Sequence, residues 1–230
     1  MNKQGNTYTF LYAAILVVVV AAVLSFVALS LKPMQTKNIK IEKMQNILAS
    51  VKINDVEANE AEKIYNKLIT KTFVVNVKGE VVEGVNAFDV DLSKELKKKV
   101  DKRNLPVFIY TKDGVNKYII PVRGKGLWGP IWGFISLNDD KNTVYGAIFD
   151  HQGETPGLGA EIANEAFQKP FSGKQIHNES GKFVSIEVHK AGKGTDIHSV
   201  DGISGGTMTS KGVDAMLKDC LSSYEAFLKK

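Results

Sequence analysis

Cysteine is almost missing from this sequence, whose 230 residues include Cys220 alone. A single thiol excludes an internal disulfide and a cluster of cysteine metal ligands. The four histidines show no HExxH or related zinc spacing, so the sequence predicts no metal site. Cys220 falls on the apolar face of a helical pattern, which predicts a residue of the core.

Neither of two common nucleotide-binding motifs is present in its required form. No stretch matches the G-x-x-x-x-G-K-[ST] pattern of a phosphate-binding loop. Residues 124–129, GKGLWG, match G-x-G-x-x-G, but Pro130 and a strand-like run follow where a dinucleotide site needs a helix. These glycines instead predict a flexible loop that presents Trp128 near Lys125. The alternative is a tight turn whose tryptophans belong to the core.

Charge of one sign is not concentrated in an uninterrupted block. The formal net charge of +5 comes partly from residues 94–103, KELKKKVDKR, where acidic residues interrupt the lysines and aromatics are absent. A basic surface for nucleic acids usually combines a denser charge with aromatic side chains. The run therefore predicts a solvated helix face and no nucleic-acid partner.

A long uncharged run is the first positive feature. Residues 10–31, FLYAAILVVVVAAVLSFVALSL, number 22 without a charge. As a helix they extend about 33 Å, which matches a hydrocarbon core of about 30 Å. A cleaved signal peptide is the alternative, but its apolar region usually has only about 7–15 residues. The sequence thus predicts a short tail at residues 1–9 and a retained single transmembrane helix at residues 10–31, in contact with the lipid bilayer.

Lysines near this run bear on its orientation. Lys3 precedes it, whereas four lysines follow it closely: Lys32, Lys37, Lys40 and Lys43. The positive-inside rule applied to these residues alone places the C-terminal part in the cytoplasm.

The chain after the span predicts a helical stalk and one domain. Residues 32–72 contain a helix over 38–52 and a second helix with Asn54 or Asp55 as its cap. Residues 73–230 predict an α+β domain that is largely antiparallel, because short turns such as Lys112-Asp113-Gly114 join successive strands. The strands are predicted at residues 73–77, 81–85, 107–111, 118–122, 131–137, 143–149 and 183–188. Residues 210–228 form an amphipathic helical pattern.

Small and polar residues are dense before that last helix, at residues 201–210, DGISGGTMTS. Thr209 or Ser210 is a suitable N-cap, which leaves Thr207 just outside the helix. Unpaired amides and the positive helix end favour a phosphate there. The alternative is a capped helix after a glycine turn.

Residues 151–159, HQGETPGLG, form a second candidate. The glycines on either side of Leu158 allow the backbone to approach a flat ligand. His151 and Glu154 are a candidate acid–base pair. The alternative is a structural loop.

Three motifs together resemble a known family. Residues 201–210 resemble the D-x-x-[ST]-G-A-T-x-[ST] signature of covalently flavinylated FMN-binding domains, with Gly206 where alanine is usual. Residues 153–162 and 124–134 resemble two further blocks of that family. With the single span, the similarity covers the whole chain. It favours the NqrC family, the C subunits of sodium-translocating NADH:quinone reductases, over the related family of G subunits from Rnf ferredoxin:NAD oxidoreductase complexes.

The resemblance implies a cofactor and its site. FMN is expected on Thr207 through a phosphoester bond that a flavin transferase makes. Further cofactor-binding residues implied by the motifs are Ser204, Gly205, Gly206, Thr209, Lys125, Leu127, Trp128, Glu154, Thr155, Gly157 and Leu158. The implied recognition residues for the transferase are Asp201, Ser204 and Gly205.

The resemblance also implies a function and a location. The protein is expected to relay electrons among the other subunits of the complex, which couples NADH oxidation and quinone reduction to sodium export. No residue of its own is expected to be catalytic. The family places the flavinylated domain on the outer, periplasmic side of the bacterial inner membrane, against the lysine count. The alternative function is an anchored, non-redox binding domain with Thr207 unmodified.

Overall fold

The computed structural model describes residues 5–229, which fall into two compact units that meet between residues 43 and 44. Of the predicted tail at residues 1–9, residues 1–4, including Lys3, lie outside the described residues. Helix α1 covers Asn6–Ser50. Its most apolar 18-residue window has a mean hydropathy of 3.0, and none of that window is buried. Within residues 5–229, α1 is the one helix long and apolar enough to cross a membrane.

The second unit is built on a six-stranded antiparallel sheet in the order β2-β1-β3-β4-β5-β6. Its strands are β1 (Ile69–Val75), β2 (Val81–Val82), β3 (Leu105–Lys112), β4 (Val115–Lys125), β5 (Pro130–Leu137) and β6 (Val144–His151). The turn at residues 113–114 joins β3 to β4, as its sequence predicts, with Lys112 paired to Val115. A separate pair of strands, β7 (Glu187–His189) and β8 (Ser199–Asp201), is parallel.

Short helices flank the sheet, and one long helix follows it. They are α2 (Ala61–Leu68), α3 (Leu92–Glu95), α4 (Glu165–Gln168), α5 (Thr207–Ser223) and α6 (Glu225–Leu228). Short 3₁₀ helices lie at Ala87–Asp89, Val100–Lys102, Gly159–Ala163 and Lys169–Phe171. The antiparallel sheet with flanking helices confirms the predicted α+β class.

The sheet is covered on both faces. Neighbouring side chains of a strand point to opposite sides, so one strand contributes to two cores. Val107 packs into a core with Leu217 of α5, whereas its neighbour Phe108 packs into a second core with Leu48. Cys220 is buried in the first core, as predicted. The face under α5 is the one that positions the candidate site.

Four local predictions need correction. Helix α2 follows Glu60, so neither Asn54 nor Asp55 caps it. Residues 94–103 do not form one helix, because α3 ends at Glu95 and a 3₁₀ turn follows. The strand predicted over residues 183–188 is confined to Glu187–His189, and its partner β8 was not predicted. The strand predicted over residues 81–85 is reduced to Val81–Val82.

Candidate functional site

Helix α5 begins earlier than its capping residues predict. Thr207 is its first residue, and Gly206 occupies the N-cap position without a side-chain cap. Thr209 and Ser210 are therefore not caps. Ser210 Oγ instead accepts a hydrogen bond of 2.9 Å from the amide of Ile203, which ties the signature loop to the helix. Thr207 remains exposed in the first turn, where backbone amides lack acceptors within the helix.

The three glycine-containing segments converge at this helix start. A methyl group on Gly159 would collide with the Thr209 hydroxyl and would lie 2.5 Å from Oε2 of Glu154. A methyl group on Gly212 would collide with the carbonyl oxygen of Lys125. Glycine at these two positions permits the close approach of α5 to both the β4–β5 loop and the loop after β6.

A buried carboxylate connects the same segments. Glu154, 4% exposed, accepts hydrogen bonds through Oε1 from the amides of Trp128 at 2.8 Å and Gly129 at 3.4 Å. Its Oε2 accepts a short hydrogen bond from the Thr209 hydroxyl. Burial by itself would raise the pKa of Glu154, but these donors together outweigh it and hold the pKa below its usual value. The side chain is therefore an ionised structural link at neutral pH.

The structure does not form the candidate acid–base pair. Nδ1 of His151 accepts a hydrogen bond of 3.2 Å from the backbone amide of Glu154. The Glu154 carboxylate is directed to Trp128, Gly129 and Thr209 instead. No group of three or more metal-ligating side chains occurs within residues 5–229 either. Glu154 therefore links segments of the site and is not the partner of His151.

A cleft of about 530 Å³ opens beside Thr207. We call it the basic cleft, because three of its side chains are cationic or can become so: His189, Lys190 and Lys211. Lys211 stands four residues after Thr207, hence on the same helix face one turn later. The remaining lining residues are Val188, Ala191, Gly202, Ile203, Ser204, Gly205 and Ser210.

The cationic residues of this cleft were missed by sequence reasoning. The i, i+4 spacing of Thr207 and Lys211 was a usable signal on a helix. His189 and Lys190 gave none, because they reach the cleft only through the β7–β8 pair. In that pair Glu187 lies opposite Ser199, which is twelve positions later in the chain.

Exposed apolar side chains lie on the other two loops and in the first turn of α5. We call Leu127, Trp128, Leu158 and Met208 the apolar rim; all are exposed, and Trp128 is 70% exposed. A methyl group on Gly205 would lie 2.7 Å from Cδ2 of Leu158, so the rim borders the signature loop. The exposure of Trp128 excludes the alternative in which it belongs to the core.

The other predicted residues have defined places. The carbonyl oxygen of Thr155 accepts from the amides of Leu158 and Ala160, both at 3.1 Å, and closes the turn before the 3₁₀ helix. Gly157, with a φ of 74°, donates through its amide to Oε1 of Glu161 at 2.9 Å. Asp201 lies at the end of β8 and accepts from the amides of Lys193 and Gly194.

These segments fall together within a known domain family. Residues 126–222 match the FMN-binding domain. The matched region contains Glu154, Thr207, the apolar rim and the whole basic cleft. Lys125 lies one residue before it.

Full-length relatives carry one common name, as the C subunits of Na(+)-translocating NADH-quinone reductases. The relative from Haemophilus ducreyi is 33% identical over 94% of this chain and 90% of its own length. That from Pseudomonas aeruginosa is 30% identical over 100% of this chain and 98% of its own. This chain belongs to the NqrC family, the C subunits of Na(+)-translocating NADH-quinone reductases.

Solved structures of the NqrC family have the same fold. The crystal structure from Parabacteroides distasonis is 50% identical, with a TM-score of 0.81 over 87% of this chain and 98% of that one. The Shewanella oneidensis structure is 29% identical, with a TM-score of 0.70 over 84% of this chain and 97% of that one. This agreement supports the α+β architecture around the site.

Proposed function

We propose that this protein is the membrane-anchored flavoprotein subunit of a Na⁺-translocating NADH:quinone reductase, with FMN attached to Thr207 through a phosphoester bond. The names of its relatives support the assembly, and the FMN-binding domain supports the cofactor. The observation that carries the attachment site is the exposed Thr207 at the start of α5, between the basic cleft and the apolar rim.

The residues present fit the chemistry of FMN. A phosphodiester on Thr207 keeps one negative charge, which the positive end of α5 and the Lys211 ammonium stabilise. The flat aromatic ring system has an apolar face, which Trp128 and Leu158 would shield from water on one side. Thr207 itself is exposed, so its hydroxyl is accessible.

Each remaining residue has a proposed role. Ser204, Gly205 and Gly206 border the phosphate, and Lys125 and Leu127 border the ring. Thr155 and Gly157 shape the turn that presents Leu158. Glu154 and Thr209 hold the two sides of the site together, because their side chains already bind each other.

FMN supplies the redox chemistry when it is bound, and the protein supplies position, charge and shielding. This chain therefore needs no nucleophile or general base of its own for electron transfer. In the proposed assembly other subunits oxidise NADH and reduce quinone, and sodium export belongs to the whole complex. The chain alone is not expected to turn over substrate.

Maturation requires a second partner. We propose that a flavin transferase attaches FMN and recognises the exposed signature segment through Asp201, Ser204 and Gly205. All three are exposed, as is Thr207. An accessible loop is what a modifying enzyme requires.

Helix α1 supports a single-pass membrane protein, because it is the one candidate span among residues 5–229. We propose a tail at residues 1–9, a span at 10–31, a stalk at 32–72 and an FMN-binding domain at 73–230, on the outer side of the inner membrane. From residue 44 onward the proposed stalk belongs to the same compact unit as the domain. Covalent attachment supports that side, because FMN lost outside the cytoplasm is hard to replace. Alkaline phosphatase fused after Lys43 should be active in cells; an inactive, stably expressed fusion would place the domain in the cytoplasm.

Intact mass spectrometry tests the proposed attachment. After co-expression with a flavin transferase, the wild-type chain should gain the mass of one FMN less one water. Thr207→Ala should lack this gain, whereas Thr195→Ala, which changes another exposed threonine, should retain it. A correctly folded wild-type chain without the added mass would contradict the proposal and leave an anchored, non-redox domain. Co-purification with NADH:quinone reductase subunits would distinguish the proposed assembly from the Rnf complex.

A further inference from the structure

The loop between β7 and β8 is closed by a side chain from the end of β8. Oδ1 of Asp201 accepts hydrogen bonds from the backbone amides of Lys193 at 2.9 Å and Gly194 at 2.8 Å. The amide of Lys193 also lies 3.1 Å from the carbonyl oxygen of Lys190, which completes a turn. Donation from the Gly194 amide, then from Gly192, holds the pKa of Asp201 below its usual value. Asp201 is thus an ionised latch on this loop.

The backbone around the latch is closely packed. A methyl group on Gly194 would collide with the backbone of Val200 and Asp201. His189 pairs with Asp201 in the parallel register, and the Gly202 amide donates to the His189 carbonyl oxygen at 2.7 Å. The latch therefore ties residues 193–194, in the middle of the loop that starts at Lys190, to the end of β8.

That same loop forms part of the basic cleft. Lys190 and Ala191 line it together with Thr207 and Lys211 of α5. Asp201 itself is not among the lining residues. Through the amides of Lys193 and Gly194, its side chain acts on the cleft by way of the loop that carries Lys190.

We propose that Asp201 is a positioning residue for the flavin phosphate: its contacts with the Lys193 and Gly194 amides hold Lys190 at the cleft beside Thr207. The proposal rests on the proposed attachment of FMN to Thr207. The proposal accounts for the acidic Asp201 at the start of residues 201–210, a segment proposed to bind an anionic phosphate. The loop amides stabilise the charge of Asp201, and the lysine that the loop carries lies at the cleft that would receive the phosphate.

Two substitutions separate this role from direct recognition of the carboxylate charge by a partner. Asp201→Asn keeps the Oδ1 acceptor, to which both hydrogen bonds run, and removes the charge. Asp201→Ala removes both. Asp196→Ala is the matched control, because its carboxylate lies in the same loop and accepts from the His198 amide at 2.8 Å, whereas the amides of residues 193–194 donate to Asp201.

Two measurements on the full-length chain are needed. Hydrogen exchange of the flavin-free protein reports the latch, and intact mass after timed exposure to the transferase and FAD reports attachment. Asp201→Ala should accelerate exchange at residues 192–194 roughly tenfold, since a hydrogen bond to a charged group contributes that much. It should slow attachment by a similar factor. Asp201→Asn keeps the acceptor but loses the charge, so it should lie between wild type and Asp201→Ala in both measurements, whereas Asp196→Ala should stay near wild type in both.

Each other outcome is decisive. Unchanged exchange in Asp201→Ala would show that there is no latch. Faster exchange with normal attachment would show that the latch does not serve the phosphate. Slow attachment in Asp201→Asn with a protected loop would show that the charge itself is recognised. A wild-type chain that takes no flavin would sink the proposed attachment while the exchange result still tests the latch.

Discussion

The hydroxyl of Thr209 donates a hydrogen bond to the carboxylate of Glu154, 55 residues away in the chain. The other oxygen of that carboxylate accepts from the amide of Trp128. One buried charge thus joins the first turn of α5 to the loop that carries the exposed tryptophan. Because Thr207 and Trp128 lie on opposite sides of this link, Glu154 determines how the proposed attachment point and ring surface are spaced.

Replacing Glu154 by Gln should weaken this link without emptying its place. Hydrogen bonds to a charged acceptor contribute more than those to a neutral one, by about 1 kcal/mol. We expect Glu154→Gln to lower the free energy of unfolding of the flavin-free protein by about 1 kcal/mol at pH 7. Urea unfolding measures this free energy. The control Glu165→Gln, at an exposed site in α4, should leave it unchanged.

The same link predicts a pH dependence. The pKa of Glu154 is lower in the folded state than its usual value, so its stabilisation is fully present above the unfolded-state pKa. It is lost as the pH falls through the lower, folded-state pKa. The stability difference between wild type and Glu154→Gln should therefore shrink as the pH is lowered below about 4.5. A difference that stays constant from pH 7 to pH 3 would mean that Glu154 does not titrate as described.

Local patterns predicted the parts of this fold that depend on near neighbours. The uncharged run at residues 10–31, the turn at 113–114 and the apolar stripe of α5 each carry their signal within one segment. The Asn54 and Asp55 caps failed for an equally physical reason. A capping side chain is only a preference, and α2 starts after Glu60, where the packing of its apolar face begins.

The site itself depends on distant segments, and less of it could be predicted. Glycines marked the three loops, but nothing local indicated that Glu154 would bind Thr209. The register that places His189 beside Asp201 comes from tertiary packing. For the same reason Lys190 gave no sign of lying near Thr207.

Two adjacent glycines should respond differently to alanine. Gly205 has a φ of 76°, and an added methyl group would lie 2.7 Å from Leu158 Cδ2. A left-handed backbone at a non-glycine residue costs about 1–2 kcal/mol. We expect Gly205→Ala to lower the free energy of unfolding by at least about 1 kcal/mol and to reduce the fraction of chains that carry flavin.

Gly206→Ala is the matched comparison. Its φ of −99° suits any residue, and the methyl group would lie 3.0 Å from Cβ of Ile203, a half-buried side chain. The loss of unfolded-state entropy stabilises by about 0.4–1 kcal/mol and offsets this tight contact. Stability should change by less than about 1 kcal/mol, and flavin attachment should persist. If Gly206→Ala proves as damaging as Gly205→Ala, the backbone assignment of this loop is wrong.

Trp128→Ala should separate attachment from the environment of the ring. The side chain is 70% exposed, so its loss should change stability by less than about 0.5 kcal/mol. We expect flavin to remain on Thr207 while its absorbance maximum and reduction potential shift, because an aromatic surface next to the ring is lost. Trp132→Phe is the control, since the half-buried Trp132 lies against Arg123 on β4. An unchanged spectrum and potential would exclude contact between Trp128 and the ring.

The lone cysteine should be inert in the folded protein. Burial raises the pKa of the Cys220 thiol to about 11, and only the thiolate reacts with alkylating reagents. Relative to a thiol of the ordinary pKa of 9.0, the thiolate fraction at pH 8 is about 100-fold lower, and the core blocks access as well. Iodoacetamide labelling should therefore be undetectable before the urea transition and should follow unfolding. Cys220→Ser combined with Ser222→Cys moves the thiol to an exposed position of the same helix and should label at once. Rapid labelling of native wild-type protein would show that α5 does not cover this residue.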